Sequence, residues 1–269
     1  MTFLPSPALP VRRQTWRNAS LSFGDRTLAE EVAVAVSYDG ATHAVLMATP
    51  DDLEDFAVGF SVNEGIIAHA GEIADLEVVT VPGGIVLRMW LAGEPSDAFS
   101  ARRRRMIGPA GCGLCGLESL AEANRRIAPV HANLRVSAAD IASAVAALPA
   151  CQQLNLRTRA VHAAACWRPG EALVVREDVG RHNALDKLAG ALLRRGASAG
   201  AGIIMLSSRI SIELVQNAGM MGAAILVGVS APTALAVRVA HAIGLTLVGV
   251  ARDDGFEIFT HPDRIMPSC

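Results

Sequence analysis

Two cysteines three positions apart, Cys112 and Cys115, are the side chains of this 269-residue chain best suited to covalent chemistry. They sit in the run Gly108-Pro109-Ala110-Gly111-Cys112-Gly113-Leu114-Cys115-Gly116. The glycines leave the backbone unshielded, so the sulfur of another protein could approach closely. Residues 118–126 read as helical, which places both thiols just before a helix N-terminus, and Arg102 to Arg105 lie upstream. Both features favour thiolate over thiol: a free cysteine titrates near 8.5, and such settings lower that by about one to several units. A thiolate, or a persulfide formed on it, is what thiol transfer needs. Three readings stay open on these residues: sulfur or redox chemistry, a metal site, or a packed structural pair. A structural zinc site would want four ligands, and neither a second CxxC nor paired histidines at finger spacing is seen. A thioredoxin-like pair would bring aromatic or proline neighbours rather than flanking glycines. The local residues do not rank the two thiols. Of the remaining cysteines, Cys151 and Cys166 sit in apolar surroundings and read as inert buried thiols, and Cys269 is isolated.

A second constellation is polar. Asp178, Arg181, His182 and Asn183 fall where a strand should end and a helix begin, and Ser207, Ser208 and Arg209 repeat the arrangement after the next strand. Helix N-termini bind anions, and arginine adds a bidentate phosphate donor. The alternative is that Asp178 and Arg181 simply pair and cap the helix. His162 admits the reading of a satisfied core histidine, and His241, on an apolar helix, is read as one.

The elements that must position these residues divide into two halves. Val32 to Ser37 alternates, Asp39-Gly40 is a hairpin turn and Thr42 to Ala48 returns. Thr49-Pro50-Asp51-Asp52 then signals a helix start, with Thr49 as N-cap; Leu53, Phe56, Ala57 and Phe60 share one face of that helix, which ends near Gly65. A second hairpin joins Leu76 to Val81 with Ile85 to Leu91 through Pro82-Gly83-Gly84, completing an expected antiparallel sheet with one helix. From Ala92 to Gly116 periodicity fails, as in a mobile connector. Beyond it helix and strand alternate. Helices are predicted at Ser137 (cap) to Leu148, Ala184 to Arg195, Ile210 to Gly219 and Thr233 to Ile243. Strands are predicted at Val161 to Trp167, Leu173 to Arg176, Gly202 to Leu206, Ala223 to Val229 and Leu245 to Val250. That order implies an α/β sheet with ligand loops at the carboxyl ends of its strands.

Composition agrees. Hydrophobic residues make up 51% of the chain but aromatics only 4%, so the core is aliphatic, as in buried parallel strands. The net charge of −2 gives no global attraction to nucleic acid or an anionic membrane. The apolar run Met221 to Val250 is long enough to span a bilayer, but Ser230, Pro232, Arg238 and His241 break it, and it reads as a buried βαβ unit. The N-terminal stretch lacks the apolar h-region of a secretory signal, and a cytoplasmic location is expected.

Three longer segments sharpen this picture: Glu177-Asp178-Val179-Gly180-Arg181-His182-Asn183-Ala184-Leu185-Asp186-Lys187, Ser207-Ser208-Arg209-Ile210-Ser211-Ile212-Glu213 and Ser230-Ala231-Pro232-Thr233. With Gly111 to Gly116, Leu245-Thr246-Leu247-Val248-Gly249 and Thr260-His261-Pro262-Asp263-Arg264, the chain closely resembles the FdhD/NarQ family from about Thr49 to Arg264. Members are formate dehydrogenase accessory sulfurtransferases, that is, sulfur carriers. The resemblance implies that a cysteine desulfurase loads sulfur onto the cysteine loop as a persulfide. The sulfur then passes to the molybdenum (or tungsten) bis-molybdopterin-guanine-dinucleotide cofactor before its insertion into formate dehydrogenase. It implies Cys112 as persulfide carrier with Cys115 assisting, and a cofactor-binding stretch at Val250, Ala251, Arg252, Asp253, Asp254 and Gly255. Asp178, Arg181, His182, Asn183, Ser208 and Arg209 would hold the two guanosine diphosphate arms. The implied fold is a cytidine deaminase-like three-layer α/β core (α+β overall) at 117–269, with a smaller N-terminal α+β domain at 1–100. An Arg/Gly-rich loop at 101–116 would join them. A homodimer is implied, with no resident metal and no nucleic-acid or membrane partner.

Two departures stand out. Where the family carries Thr-Gly-Gly-x-His-Ala-Ala, this chain has Thr158-Arg159-Ala160-Val161-His162-Ala163-Ala164, which is expected to remove positive-φ freedom. The stretch Val250 to Gly255 is acidic where it should meet a pyrophosphate. The rivals are a zinc deaminase, which would need a His-x-Glu element that His162-Ala163-Ala164 lacks, a disulfide oxidoreductase, and a cofactor-binding module without chemistry.

Overall fold

The computed structural model describes residues 4–93 and 127–267. Cys112, Cys115, Cys269, Arg102 to Arg105 and the helix read at 118–126 lie outside the described residues.

The chain opens with a β-ribbon, β1 (Ala8–Arg17) and β2 (Ser20–Ala29), paired antiparallel. A four-stranded sheet follows: β3 (Val32–Tyr38), β4 (Ala41–Ala48), β5 (Ile73–Val81) and β6 (Gly84–Leu91), in the order β4-β3-β6-β5. Period-two burial builds its inner face: Ile85, Leu87, Met89 and Leu91 point inward from β6, and Val34, Val36 and Tyr38 from β3. Both predicted hairpins form, but the sheet is mixed. β3 and β6 run parallel, because α1 (Leu53–Asn63) carries the chain from one hairpin to the other before the second docks.

The second half is a six-stranded sheet in the order β13-β12-β11-β10-β8-β9. Its strands are β8 (His162–Trp167), β9 (Val174–Asp178), β10 (Ile203–Leu206), β11 (Ile225–Gly228), β12 (Thr246–Arg252) and β13 (Gly255–Ile258). A small parallel pair, β7 (Val136–Ser137) and β14 (Ile265–Met266), lies apart from it. The three strands β10, β11 and β12 are parallel, and the predicted βαβ unit from Met221 to Val250 is present. Helices α4 (Arg181–Arg194), α5 (Ile212–Met220) and α6 (Ala234–Ala242) pack side by side, as crossovers advancing in one direction require. α2 (Ala138–Cys151) lies against β10 and β12; its start is the predicted one, with Ser137 and Asp140 forming a capping box. A short helix, α3 (Gln153–Thr158), precedes β8. No helix among the described residues is long and apolar enough to cross a membrane.

Each sheet has its own aliphatic core, and a polar joint sews the two together. α1 lies between the four-stranded sheet and α4 and is buried nearly all round. Across it Asp55 accepts from Arg176 at 2.6 Å and from Arg194 at 2.7 Å, and Asn63 donates to the fully buried Asp186 at 2.6 Å. Thr49 is not the N-cap of α1. Asp52 takes that place in a left-handed conformation without a side-chain cap, because Thr49 is spent on the joint: its N–H donates to Asp178 and its hydroxyl accepts from Val179.

Burial lifts the Asp186 carboxyl from its ordinary value to about 7; the neighbouring charges of Glu64 and Asp178 add to this, and the Asn63 and Asn217 amides oppose it. A carboxyl raised in the folded state contributes stability that is complete below its unfolded pKa and is lost as pH rises towards the folded one. Asp186→Asn abolishes that dependence. Its stability relative to the parent therefore rises between about pH 4 and pH 7 and then levels off, as thermal melts across the range will show. A constant difference would refute the assignment.

Candidate functional site at the strand ends

The registers bring the polar segments to one edge of the six-stranded sheet. His162 at the start of β8 faces Asp178 at the end of β9, Ala164 faces Leu206, Leu206 faces Gly228, and Val227 faces Val248. The carboxyl ends of β9 to β12 and the amino end of β8 therefore coincide. The loops Asp178–His182, Ser207–Arg209 and Ser230–Thr233, together with Val250, gather there, the expected position for a ligand in an α/β sheet.

Within the first loop the side chains divide by direction. Asp178 is fully buried, 2.7 Å from the Lys187 ammonium, and accepts from the N–H groups of Thr49 (3.0 Å) and Gly180 (2.8 Å) and from the Asn183 amide (2.9 Å). Asn183, also buried, donates to the Met47 carbonyl at 2.8 Å. These two face the joint and fix the loop from beneath. Arg181 and His182 remain half-buried at the edge, in the first turn of α4, whose N-cap Gly180 offers no side-chain cap. Arg181 makes no ion pair with Asp178 among those observed.

The second loop is tied to the sheet by Ser207, which accepts from the Ala163 N–H at 2.8 Å and returns its own N–H to the Ala163 carbonyl. Ser208 is buried and bonds the Arg209 carbonyl, leaving the Arg209 side chain exposed. The stretch Val250–Gly255 splits. Val250 adopts a left-handed φ of 52°, a costly conformation for a β-branched residue, at the bulge where β12 leaves its register with β13. Ala251 is buried, while Arg252, Asp253, Asp254 and Gly255 form the exposed β12–β13 turn. The acidic pair thus sits at a hairpin tip.

Both edge histidines are held towards the neutral form. Burial, then the Arg181 guanidinium, lowers the pKa of His162 against the opposing charge of Asp178; burial and Arg181 do the same for His182, opposed by Glu213. His241 departs from its reading as a core histidine: it is exposed and stacks on His261, with ring centroids 5.1 Å apart. Burial raises the Cys166 thiol, the expected state of an inert core cysteine, whereas Cys151 is only half-buried. Among the described residues no three metal-ligating side chains converge.

The glycine departure is resolved locally. Arg159 keeps a left-handed φ of 57° as the C-cap of α3, with its N–H bonded to the Asn155 carbonyl, so the geometry survives without glycine. An L-residue there costs roughly 1–2 kcal/mol. Arg159→Gly is expected to stabilise the protein by about 1 kcal/mol and Arg159→Ala to give no gain. Denaturant midpoints for the pair check this, and equal midpoints would refute it.

Comparison with known proteins matches these features to one family. The model of the FdhD/NarQ family aligns with residues 29–266. The chain belongs to the FdhD/NarQ family. Among curated relatives, the sulfur carrier protein FdhD of Agrobacterium fabrum is 50% identical over 264 residues, covering 95% of both chains. That of Brucella abortus is 50% identical over 260 residues, covering 96% of this chain and 97% of the relative. A crystal structure from Desulfotalea psychrophila, provisionally assigned as a formate dehydrogenase accessory protein, superimposes with a TM-score of 0.78 at 25% identity. It covers 97% of this chain and all of its own. The mixed α/β architecture is therefore that of an FdhD-like protein. Sequence reasoning passed over Thr49, Asn63 and Asp186 as positioning residues: nothing in their own surroundings signals partners more than 120 positions away.

Proposed function

We propose that this protein is a sulfurtransferase of the carrier type, serving a formate dehydrogenase. The observation that carries this reading is the convergence of Arg181, His182, Ser208, Arg209 and Val250 on one open sheet edge, in a chain half identical to proteins named sulfur carriers. In this reading the Cys112 thiolate attacks the outer sulfur of a persulfide on a cysteine desulfurase. One S–S bond forms as another breaks, the desulfurase cysteine leaves as thiolate, and Cys112 carries the sulfur, with Cys115 assisting its release.

The acceptor is the molybdenum bis-molybdopterin-guanine-dinucleotide cofactor, held as cargo rather than as a resident group. Its pyrophosphates suit the uncapped first turn of α4 and the Arg181 and Arg209 guanidiniums. Residues 1–100, 101–116 and 117–269 serve as scaffold domain, carrier loop and cofactor domain of a cytoplasmic homodimer.

Incubation with a desulfurase and cysteine is expected to add the mass of one sulfur to the parent. Cys112→Ala should not gain it and should fail to activate formate dehydrogenase while melting like the parent. Normal activation by that variant would sink the carrier assignment.

A further inference from the structure

Three basic side chains crowd the open sheet edge. His162 opens β8 opposite Asp178, and Arg181 and His182 open α4; all three are part exposed. The anions near them are poorly placed to compensate. Asp178 lies buried beneath, committed to Lys187, Thr49, Gly180 and Asn183. Glu213, at the start of α5, is largely exposed, and its carboxylate is 3.9 Å from His182 Nε2, beyond hydrogen-bond reach. His182 Nε2 is itself shielded from solvent, with no hydrogen-bond partner among the described residues.

Arg181 sets both imidazoles in a cationic field, and His182 lies besides in the first turn of α4, at its positive end. Added to burial, this favours their neutral forms. A doubly charged pyrophosphate diester lying beside Arg181 would reverse that field. We propose that His162 and His182 are proton-coupled ligands of this edge, each taking up a proton from solvent when a pyrophosphate diester binds beside Arg181. The inference rests on the cofactor-edge reading above and adds to it His162 and a regulatory variable.

Coupling of this kind is reciprocal. If the ligand raises the affinity of the imidazoles for protons, protons raise the affinity for the ligand. The edge then discriminates for a full pyrophosphate charge, since a neutral or singly charged analogue would draw fewer protons. It also loosens its hold as pH rises.

The probe is diguanosine pyrophosphate, a pyrophosphate diester in which each phosphorus keeps only one, strongly acidic, ionisable oxygen, so its charge is fixed between about pH 5.5 and 8.5. Calorimetric titration of the full chain in two buffers of different ionisation enthalpy reads proton uptake directly. Between one and two protons are expected per ligand near pH 7. The affinity should fall by up to about tenfold per pH unit for each coupled proton. The double variant His162→Gln with His182→Gln should lose the parent's gain in affinity at low pH, binding no tighter there than the parent does near pH 8.5, with no uptake and a flat pH profile.

Should that variant fail to fold, the imidazole Cε1–H resonances of the parent give the same answer: two of them must shift to higher pKa on ligand addition. Uptake that persists in the double variant, imidazole pKa values unmoved by ligand, or binding by the parent that ignores pH overturns the proposal while leaving the cofactor edge standing. No binding at any pH overturns both.

Discussion

Replacing Gly59 or Gly190 with alanine is expected to leave little folded protein. These residues face each other where α1 crosses α4. A Cβ at Gly59 would lie 1.7 Å from the Asp186 carbonyl oxygen, and one at Gly190 would lie 1.9 Å from that of Asp55. Both obstacles are backbone, so no rotamer change relieves them, and the helices would have to separate by more than an ångström. Ordinary helix pairs sit roughly 8–10 Å apart, and only glycine permits this closer approach. Separation would also pull Asp55 from Arg176 and Arg194, and Asn63 from Asp186. Alanine's better helix propensity returns about 1 kcal/mol at most. The net cost should be about 3 kcal/mol or more. Gly24, in the β1–β2 ribbon, is the control: a Cβ there meets nothing within 4 Å, and Gly24→Ala should change stability by less than about 0.5 kcal/mol. Denaturant midpoints and soluble yield distinguish these outcomes, and a Gly59→Ala protein melting like the parent would disprove the account of the crossing.

What could be read in advance was whatever local chemistry specifies. Asp39-Gly40 announces its hairpin, Ser137 with Asp140 announces α2, and the breaks at Ser230 and Pro232 divide β11 from α6. What escaped lacks such signals. The β1–β2 ribbon turns at Asn18-Ala19, both at positive φ but without the glycine that normally marks a two-residue hairpin, and its strands are too exposed to alternate cleanly. α3 spans six residues and has no side-chain cap. The parallel pairing of β3 with β6 depends on how α1 crosses, which no window of sequence contains.

The site shows the same division. That Asp178 to Asn183 occupy a strand–helix turn was legible; which of them face outward was not. Asp178 and Asn183 turn inward because Thr49 and Met47, contributed by the other half of the chain, meet them there. The segment that marks the family so distinctively is thus two things at once. Arg181 and His182 furnish the edge, while Asp178, Asn183, Asp186 and Lys187 build the joint under it.

That joint can be tested at its most buried pair. Lys187 is wholly enclosed, with its ammonium 2.7 Å from Asp178, 2.9 Å from the Thr49 carbonyl and 6.0 Å from the centre of the Phe56 ring. Lys187→Met keeps the length and apolar stem of the side chain but strands the Asp178 carboxylate without a cation. Breaking a buried pair in this way costs about 3–5 kcal/mol. Adding Asp178→Asn removes the stranded charge and keeps an acceptor for Gly180 and Asn183. The double variant should therefore recover roughly 1–3 kcal/mol relative to Lys187→Met. A double variant no more stable than the single would show that shape, not charge, is what the pair provides. Amide exchange adds a second reading: in Lys187→Met the N–H groups of Thr49 and Gly180, which both donate to Asp178, should lose protection well beyond any global loss. The turn they belong to carries Arg181 and His182, so the anion-binding edge proposed above would depend on a charge pair buried beneath it.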